Sequence, residues 1–485
     1  MSGLDIPEVI NATEVTEWND DVDVVVLGAG IGGCCAAVEA SAAGANVLVL
    51  ERSAAAGGTT CMAGGHFYLG GGTAVQKATG HEDSADEMAK YITAVSRDPE
   101  PDKIRAYCDD SVDHFDWLEN LGFEFERSYY PEKAVIQPQT QGLMFTGNEK
   151  VWPFHEKAVP APRGHKVPVE GDTGGAGMVI ELLVKRLDEM RVPIRYEVGG
   201  RRLVVDDAGA VVGVQYKDGP NVGFIRAKAV IIAAGGFVMN PDMVAAHVPQ
   251  LAEKPFTLGS TYDDGLGIRM GVSVGAELKH MDQAFITAPV YPPSILLTGL
   301  VVNKEGKRFV AEDSYHSRTS GFVMDQTDRA AFLIVDESHM ERPEFPLAPF
   351  IDGWETVEEM ADGLGLDREA LVSTLDRYNA YAAKGEDPDF HKSPEFLAPQ
   401  DRGPWAAFDM SLGKALYAGF TIGGMATTVD GAVLNESGSV IPGLYAAGAC
   451  AANLAQDGKG YASGTQLGEG SYFGRRAGAS AATHT

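Results

Sequence analysis

Three glycines and one acid carry the plainest chemistry in this chain. Gly28, Gly30 and Gly33 stand in the run GAGIGG, and Glu51 follows about 20 residues beyond them. In that spacing Gly28 permits a tight turn, Gly30 lets backbone approach a pyrophosphate, and Gly33 lets a helix pack closely on a strand. The phosphates are expected at the helix N-terminus, where unpaired N–H groups and the helix dipole favour negative charge. An acid placed as Glu51 is accepts hydrogen bonds from ribose hydroxyls and repels a 2′-phosphate. Behind it, from Arg52 through GGTTCMAGG, come Gly57, Gly58, Thr59, Thr60, Ala63, Gly64 and Gly65. Paired glycines and hydroxyls there suit close contact with phosphate, ribitol or an isoalloxazine ring. GxGxxG alone is weak evidence; with Glu51 it predicts dinucleotide binding.

These residues need a strand, a turn and a helix to hold them. The β-branched run 22–27 supplies the strand, the small residues 34–43 the helix, and 46–50 a second strand ending at the acid. Residues 83–122 read as helical, and 128–170, rich in proline and aromatics, as an irregular cover. A glycine turn, 171–174, feeds an amphipathic helix to Met190. Strands follow at 202–205 and 211–216 around the turn Asp207-Ala208-Gly209. A buried strand, 229–232, ends in Ala233-Ala234-Gly235-Gly236, and a further small-residue strand end leads to Gly448. Small residues at strand ends imply backbone pressed against a ligand. DDGLG, with Asp264, opens one helix, and GYASGTQLGEG, with Gly464, Thr465 and Leu467, opens the last.

From Met281 the pattern changes. VVNKEGKRFV reads as a hairpin about Lys304-Glu305-Gly306, 331–335 as a strand and 356–383 as helices. The expected plan is a dinucleotide-binding domain, 1–280, an inserted domain, 281–418, and a return segment, 419–485. Two domains also fit the length of 485 residues.

A net charge of −29 argues against nucleic acid or an anionic membrane as partner. No apolar run approaches the roughly 20 residues of a membrane span, and residues 1–15 lack the features of a signal peptide. A cytoplasmic protein is the expectation. Cys34, Cys35, Cys61, Cys108 and Cys450 have no metal-ligand spacing, and neither do His114, His155 and His165, so no metal is expected. Buried thiols without disulfides are expected.

GAGIGG, Glu51, GGTTCMAGG, AAGGF with Asn240 after it, DDGLG, VNKEGKRFV and GLYAAG together resemble the flavoprotein subunit family of fumarate reductase and succinate dehydrogenase, which includes 3-ketosteroid dehydrogenases. The resemblance covers nearly the whole chain. It implies an α/β fold: a Rossmann-like FAD-binding domain of the glutathione-reductase/fumarate-reductase type with an inserted α+β capping domain. The cofactor implied is FAD. Members that bind it covalently use a histidine ahead of the pair that is Gly64-Gly65 here. Gly58 stands in that position and His66 lies beyond the pair, so non-covalent FAD is expected.

The dicarboxylate-reducing members carry an arginine proton donor after the hairpin and a His-Pro-Thr motif. This chain has EDSYHSR in the first place and Met281-Asp282-Gln283-Ala284-Phe285 in the second. It is more similar to the 3-ketosteroid Δ4-dehydrogenases, in residues 460–478, in 159–165 and in Tyr315. That group uses a tyrosine after the hairpin and a Tyr-x-Ser pair at the last helix, which map to Tyr315, Tyr461 and Ser463. The implied reaction removes an α-proton and a β-hydride beside a ketone, with flavin N5 taking the hydride. Tyr315, Tyr461 and Ser463 have ordinary pKa values far above neutrality, so they are expected to converge as a polarised relay. Backbone N–H groups of residues 460–464 are expected to help polarise the ketone oxygen. An external acceptor would reoxidise the flavin. The competing readings are a Δ1-dehydrogenase, an ene-reductase on another bulky ketone, a fumarate-reductase-like dicarboxylate enzyme, and a flavin-carrying electron-transfer or binding protein without turnover.

Overall fold

Val24, Val25 and Val26 are wholly buried in strand β1 (Asp20–Leu27), because a central strand covered on both faces needs apolar side chains on both. The computed structural model describes residues 5–171, 174–252, 255–287, 293–343 and 347–483. Residues 1–4 of the lead-in, and Asp172 and Thr173 of the glycine turn, lie outside these. After β1 the chain turns at Gly28 into α1 (Ile31–Ala42), whose residues from Ile31 to Val38 are all buried. A helix enclosed this way must be built from small residues, and Gly, Cys and Ala supply it. β2 (Val47–Leu50) then pairs parallel to β1.

The hairpin read at 202–216 is the start of a longer meander, β3 (Val198–Val205), β4 (Val211–Asp218) and β5 (Asn221–Ile232). β5 is 12 residues long and starts eight residues before the apolar run that predicted it. Its first half alternates exposed and buried residues, so periodicity in a window around 229–232 misses it. That half pairs antiparallel with β4. From Ile225 the strand runs parallel to β1, and its last three pairs are with β6 (Val440–Ala446). α2 (Thr465–Thr483) ends the described chain. The sheet core therefore reads β2-β1-β5-β6, all parallel. Gly28 donates to Leu50 O at 2.8 Å, Ala233 to Leu27 O at 2.8 Å and Ala447 to Ile232 O at 3.0 Å, so three small-residue strand ends line one edge. Open parallel sheets bind ligands at that carboxyl edge.

Between Leu300 and Asp409 a separate four-stranded antiparallel sheet forms, in the order 300–303, 331–336, 405–409, 350–354. Helices Val357–Leu364 and Arg368–Ala382 cover it through Met360, Leu371, Leu375 and Tyr378. Sequence periodicity finds the helices and strand 331–336 but not 350–354 or 405–409. The hairpin expected in VVNKEGKRFV closes its turn through Gly306 N–H to Asn303 O at 3.0 Å, and its return arm is short, held by Asn303 N–H to Lys307 O at 2.9 Å and the Val302–Arg308 bridge. A small sheet joins 256–257 and 284–287 to 418–421, tying this region to the nucleotide fold.

Residues 83–122 form three helices, Ala85–Val95, Pro101–Asp109 and Ser111–Asn120. The run Asp98-Pro99-Glu100-Pro101 breaks the first from the second, since residues before proline leave the helical region. Cys34, Cys35, Cys108 and Cys450 are buried, but Cys61 is exposed, which corrects the expectation of five buried thiols.

Candidate active site

The carboxyl edge of the sheet opens into a cavity of about 480 Å³. Its glycine-rich end shows why each glycine is there. Gly28 has φ +107°, and a Cβ on it would stand 2.4 Å from Ala233 O. A Cβ on Gly33 would stand 1.9 Å from Gly28 O, so any side chain would push α1 off the strand. On Gly30, which lies on the cavity wall, a Cβ would crowd Thr60 Oγ1 at 3.2 Å and take up room in the cavity. α1 has no side-chain cap at Gly30, and Ile31 N–H donates to Thr60 Oγ1 at 3.1 Å. Glu51, 7 % exposed, accepts Ala29 N–H on Oε2 and Ser53 N–H on Oε1, both at 2.8 Å. It therefore holds the glycine turn in shape as well as facing the cavity, and each oxygen keeps a second lone pair for a ribose hydroxyl.

On the cavity wall stand Gly28, Gly30, Glu51, Arg52, Gly57, Gly58, Thr59, Thr60, Ala63, Gly64, Ala234, Gly235, Gly448, Tyr461, Ser463, Gly464 and Leu467. Seven residues expected at the site are off it. Gly33 packs on Gly28, and Gly65, at φ +85°, packs on Val167 and Gly175. Gly236 lies against Thr421. Asn240 caps the helix Pro241–His247, accepting Met243 N–H at 3.1 Å and donating to Asp264 O at 2.9 Å. Asp264 holds Arg52 through two bonds of 3.0 Å, so the acid orients the arginine rather than a ligand. Thr465 Oγ1 donates to Ala462 O at 2.8 Å. Tyr315 lies behind Ser463.

Sequence reading missed Asp263, the neighbour of the acid it chose. Asp263 is on the wall, takes a hydrogen bond from Thr59 Oγ1 on Oδ2 at 2.9 Å, and has a buried Oδ1 without a partner among the described residues. Burial pushes its carboxyl up to about 6, against the Thr59 bond. Arg52 Nε is likewise buried without a partner. Orphaned polar atoms and open glycine backbone at a helix N-terminus fit a dinucleotide.

The other end is aromatic. Phe285 stacks on Phe420 at 4.7 Å between centroids and tilts against Tyr461 at 4.8 Å. Tyr315 Oη and Ser463 Oγ are hydrogen-bonded to each other. Tyr315 is 5 % exposed and Ser463 reaches the cavity, so the serine is the outer member of the pair. Tyr461 does not complete a trio: its hydroxyl oxygen accepts Gln466 N–H at 3.4 Å instead. Burial drives its phenol further above the ordinary range, so it is a neutral donor. His316 touches Tyr315 with ring centroids 3.9 Å apart and shares a hydrogen bond with Thr287 Oγ1 through Nδ1 at 2.8 Å. Burial and Lys133 push it down to about 3, leaving a neutral imidazole. The expected carbonyl cradle from residues 460–464 is partly corrected. Ser463 N–H is spent on Thr146 O at 2.8 Å and Gly460 N–H on Asp457 Oδ1 at 2.5 Å.

Among the described residues that line the cavity, Arg52 is the one arginine or lysine, and Asp264 neutralises it. No helix among the described residues is long and apolar enough to cross a membrane.

Comparison with known proteins places these features. The family model described as FAD binding domain matches residues 23–468. The crystal structure of 3-ketosteroid-Δ4-(5α)-dehydrogenase from Rhodococcus jostii RHA1, in complex with 4-androstene-3,17-dione, is similar at TM-score 0.92 and 41% identity, over 98% of this chain and 99% of that one. The 3-oxo-5-alpha-steroid 4-dehydrogenase of Comamonas testosteroni is 27% identical over 92% of this chain and 95% of its own. Urocanate reductase of Eggerthella lenta is 29% identical, over 95% and 75% respectively.

Proposed function

This chain belongs to the FAD binding domain family, and from that premise we propose that it is an FAD-dependent dehydrogenase introducing the Δ4 double bond of a 3-ketosteroid. The observation that carries this reading is the Tyr315–Ser463 hydroxyl pair, set at an aromatic wall free of unpaired cations. A dicarboxylate needs fixed positive charge at both ends, and the aromatic end offers none. A fused-ring ketone needs apolar walls with a few placed polar groups.

Gly28, Gly30, Thr60 and the start of α1 would take the pyrophosphate, Glu51 the adenosine ribose, and the Arg52–Asp264 pair the neighbouring wall. Bound FAD supplies a two-electron acceptor for the β-hydrogen and its electron pair. The protein's own part is proton handling. Tyr461 O–H, with its oxygen already accepting Gln466 N–H, is the donor for the ketone oxygen and makes the α C–H more acidic. Ser463 Oγ faces the cavity and takes the α-proton while its own proton moves toward Tyr315 Oη. Neither hydroxyl is basic alone, so Tyr315 must give up its own proton in turn to solvent water, and each turnover releases one proton through the pair while both hydroxyls are restored. We read residues 281–418 as the cap that delivers Tyr315, and an external acceptor as the oxidant of the reduced flavin.

The test is product structure. A saturated 3-ketosteroid of the 5α series, incubated with enzyme and an artificial electron acceptor, should give the Δ4-3-ketone. A Δ1-ketone as the product would contradict the Δ4 assignment.

A further inference from the structure

Residues Thr146, Gly147, Asn148 and Glu149 lie off the cavity wall, and nothing in the proposed reaction uses them. Their polar atoms nevertheless reach each segment that carries the hydroxyl pair. Asn148 is wholly buried. Its Oδ1 accepts Tyr315 N–H at 2.9 Å, and its Nδ2 donates to Lys459 O at 3.4 Å. Its own N–H donates to Tyr91 Oη at 2.8 Å. Two residues earlier, Thr146 O accepts Ser463 N–H at 2.8 Å. One residue later, Glu149 Oε1 accepts the Tyr68 hydroxyl at 3.0 Å, while Tyr68 N–H donates to Gly464 O at 3.0 Å. The segment is also pressed onto the loop: a Cβ on Gly147 would stand 2.9 Å from the Ala462 Cβ and 2.6 Å from Tyr91 Oη.

Tyr315 and Ser463 are 148 residues apart and come from different parts of the fold. One buried amide side chain bridges the backbone of both parts. An amide alone offers an acceptor and a donor at that reach. Aspartate keeps the acceptor but turns a second oxygen on the Lys459 carbonyl. Alanine leaves a buried N–H and a buried C=O unpaired, which is the costly way to lose a hydrogen bond.

We propose that Asn148 is a positioning residue for the reaction, fixing Tyr315 and the 459–463 loop in one register so that the hydroxyl pair forms. The inference rests on the reading of that pair as the proton relay. Misplacing a reacting group by about 1 Å costs on the order of 10²-fold in rate.

The test pairs kinetics with backbone hydrogen exchange. Asn148→Ala should retain its flavin and the KM for the 3-ketosteroid, and lose about 10- to 100-fold in kcat. In a Tyr315→Phe background the same change should cost less than about threefold, because coupled residues are not additive. By exchange mass spectrometry, Asn148→Ala should speed exchange about tenfold or more at both the Tyr315 segment and the 459–463 loop. If the alanine variant fails to load flavin, Asn148→Asp decides: it should speed exchange in the loop but leave the Tyr315 segment protected. An unchanged kcat in a flavin-loaded Asn148→Ala, an equal loss in both backgrounds, or unchanged exchange would overturn the proposal. A Tyr315→Phe enzyme with wild-type kcat would sink the relay reading instead, and the exchange experiment would still judge the clamp.

Discussion

At the scale of single residues the proposed reaction turns on how hydroxyls pair. The family resemblance implies Tyr315, Tyr461 and Ser463 as one unit, and the structure divides them into a bonded pair and a separate hydroxyl that accepts Gln466 N–H. The kinetics should divide the same way. Tyr315→Phe and Ser463→Ala should each lower kcat by about 10² to 10⁴, and the double variant should be no slower than the worse single one. Tyr461→Phe should add its own loss to either. Steady-state rates at fixed flavin content check this. Glu469 sits behind that loop, buried, with Oε2 accepting Leu454 N–H at 2.7 Å and Ala455 N–H at 2.9 Å. Burial pushes its carboxyl up to about 7, while those two N–H groups pull it down. Lys103 and the phenols of Tyr107 and Tyr461 are the other titratable groups facing it. A carboxyl with a raised folded pKa binds its proton more tightly when folded. Its contribution is therefore whole below the unfolded value and lost as pH rises through about 7. Glu469→Gln should remove that part of the slope, on the order of 3 kcal/mol at most, as read by denaturant midpoints at pH 5 and pH 8. Composition hides Glu469, Asp263 and Asn148 alike: each is an ordinary polar residue until the fold buries it.

At the scale of elements, what was legible is what local pattern dictates. β1, α1 and β2 were readable because strand branching, small helix residues and a terminal acid all agree within one window. β5 was half readable, since its exposed edge dilutes the apolar signal, and strands 350–354 and 405–409 were not, since their partners lie far along the chain. The last helix was legible as a helix but not as a partner of α1. Gly470, Gly474 and Gly478 recur every four residues and put one bare stripe on α2. A Cβ on Gly474 would stand 2.5 Å from Gly32 O, and one on Gly478 would stand 2.1 Å from Ala36 O. That contact packs α2, which follows directly on the Ser463 loop, against α1. Gly478→Ala should force the helices apart, destabilise the protein by about 1–3 kcal/mol, and lower retained flavin. Thermal melting and the ratio of flavin to protein absorbance measure both effects.

At the scale of the whole molecule, the parallel sheet and the 281–418 segment both line one cavity, which is where the proposed chemistry is set. Tyr315 and His316 come from that segment, and Ser463 and Tyr461 from the loop before α2, so only the assembled chain holds the set. FAD should be held without a covalent bond: acid precipitation should release all yellow colour, and colour left in the pellet would point to His66, which lies on the cavity wall. In the proposed reaction a 3-ketosteroid, not a dicarboxylate, delivers electrons to the bound flavin while the Tyr315–Ser463 pair carries away the α-proton. Anaerobic stopped-flow absorbance of the flavin tests it directly. Wild-type enzyme mixed with a saturated 3-ketosteroid should bleach within the first turnover, Tyr315→Phe should bleach about 10² to 10⁴ times more slowly, and succinate should bleach neither. Bleaching by succinate, or equal rates for wild type and Tyr315→Phe, would contradict the account.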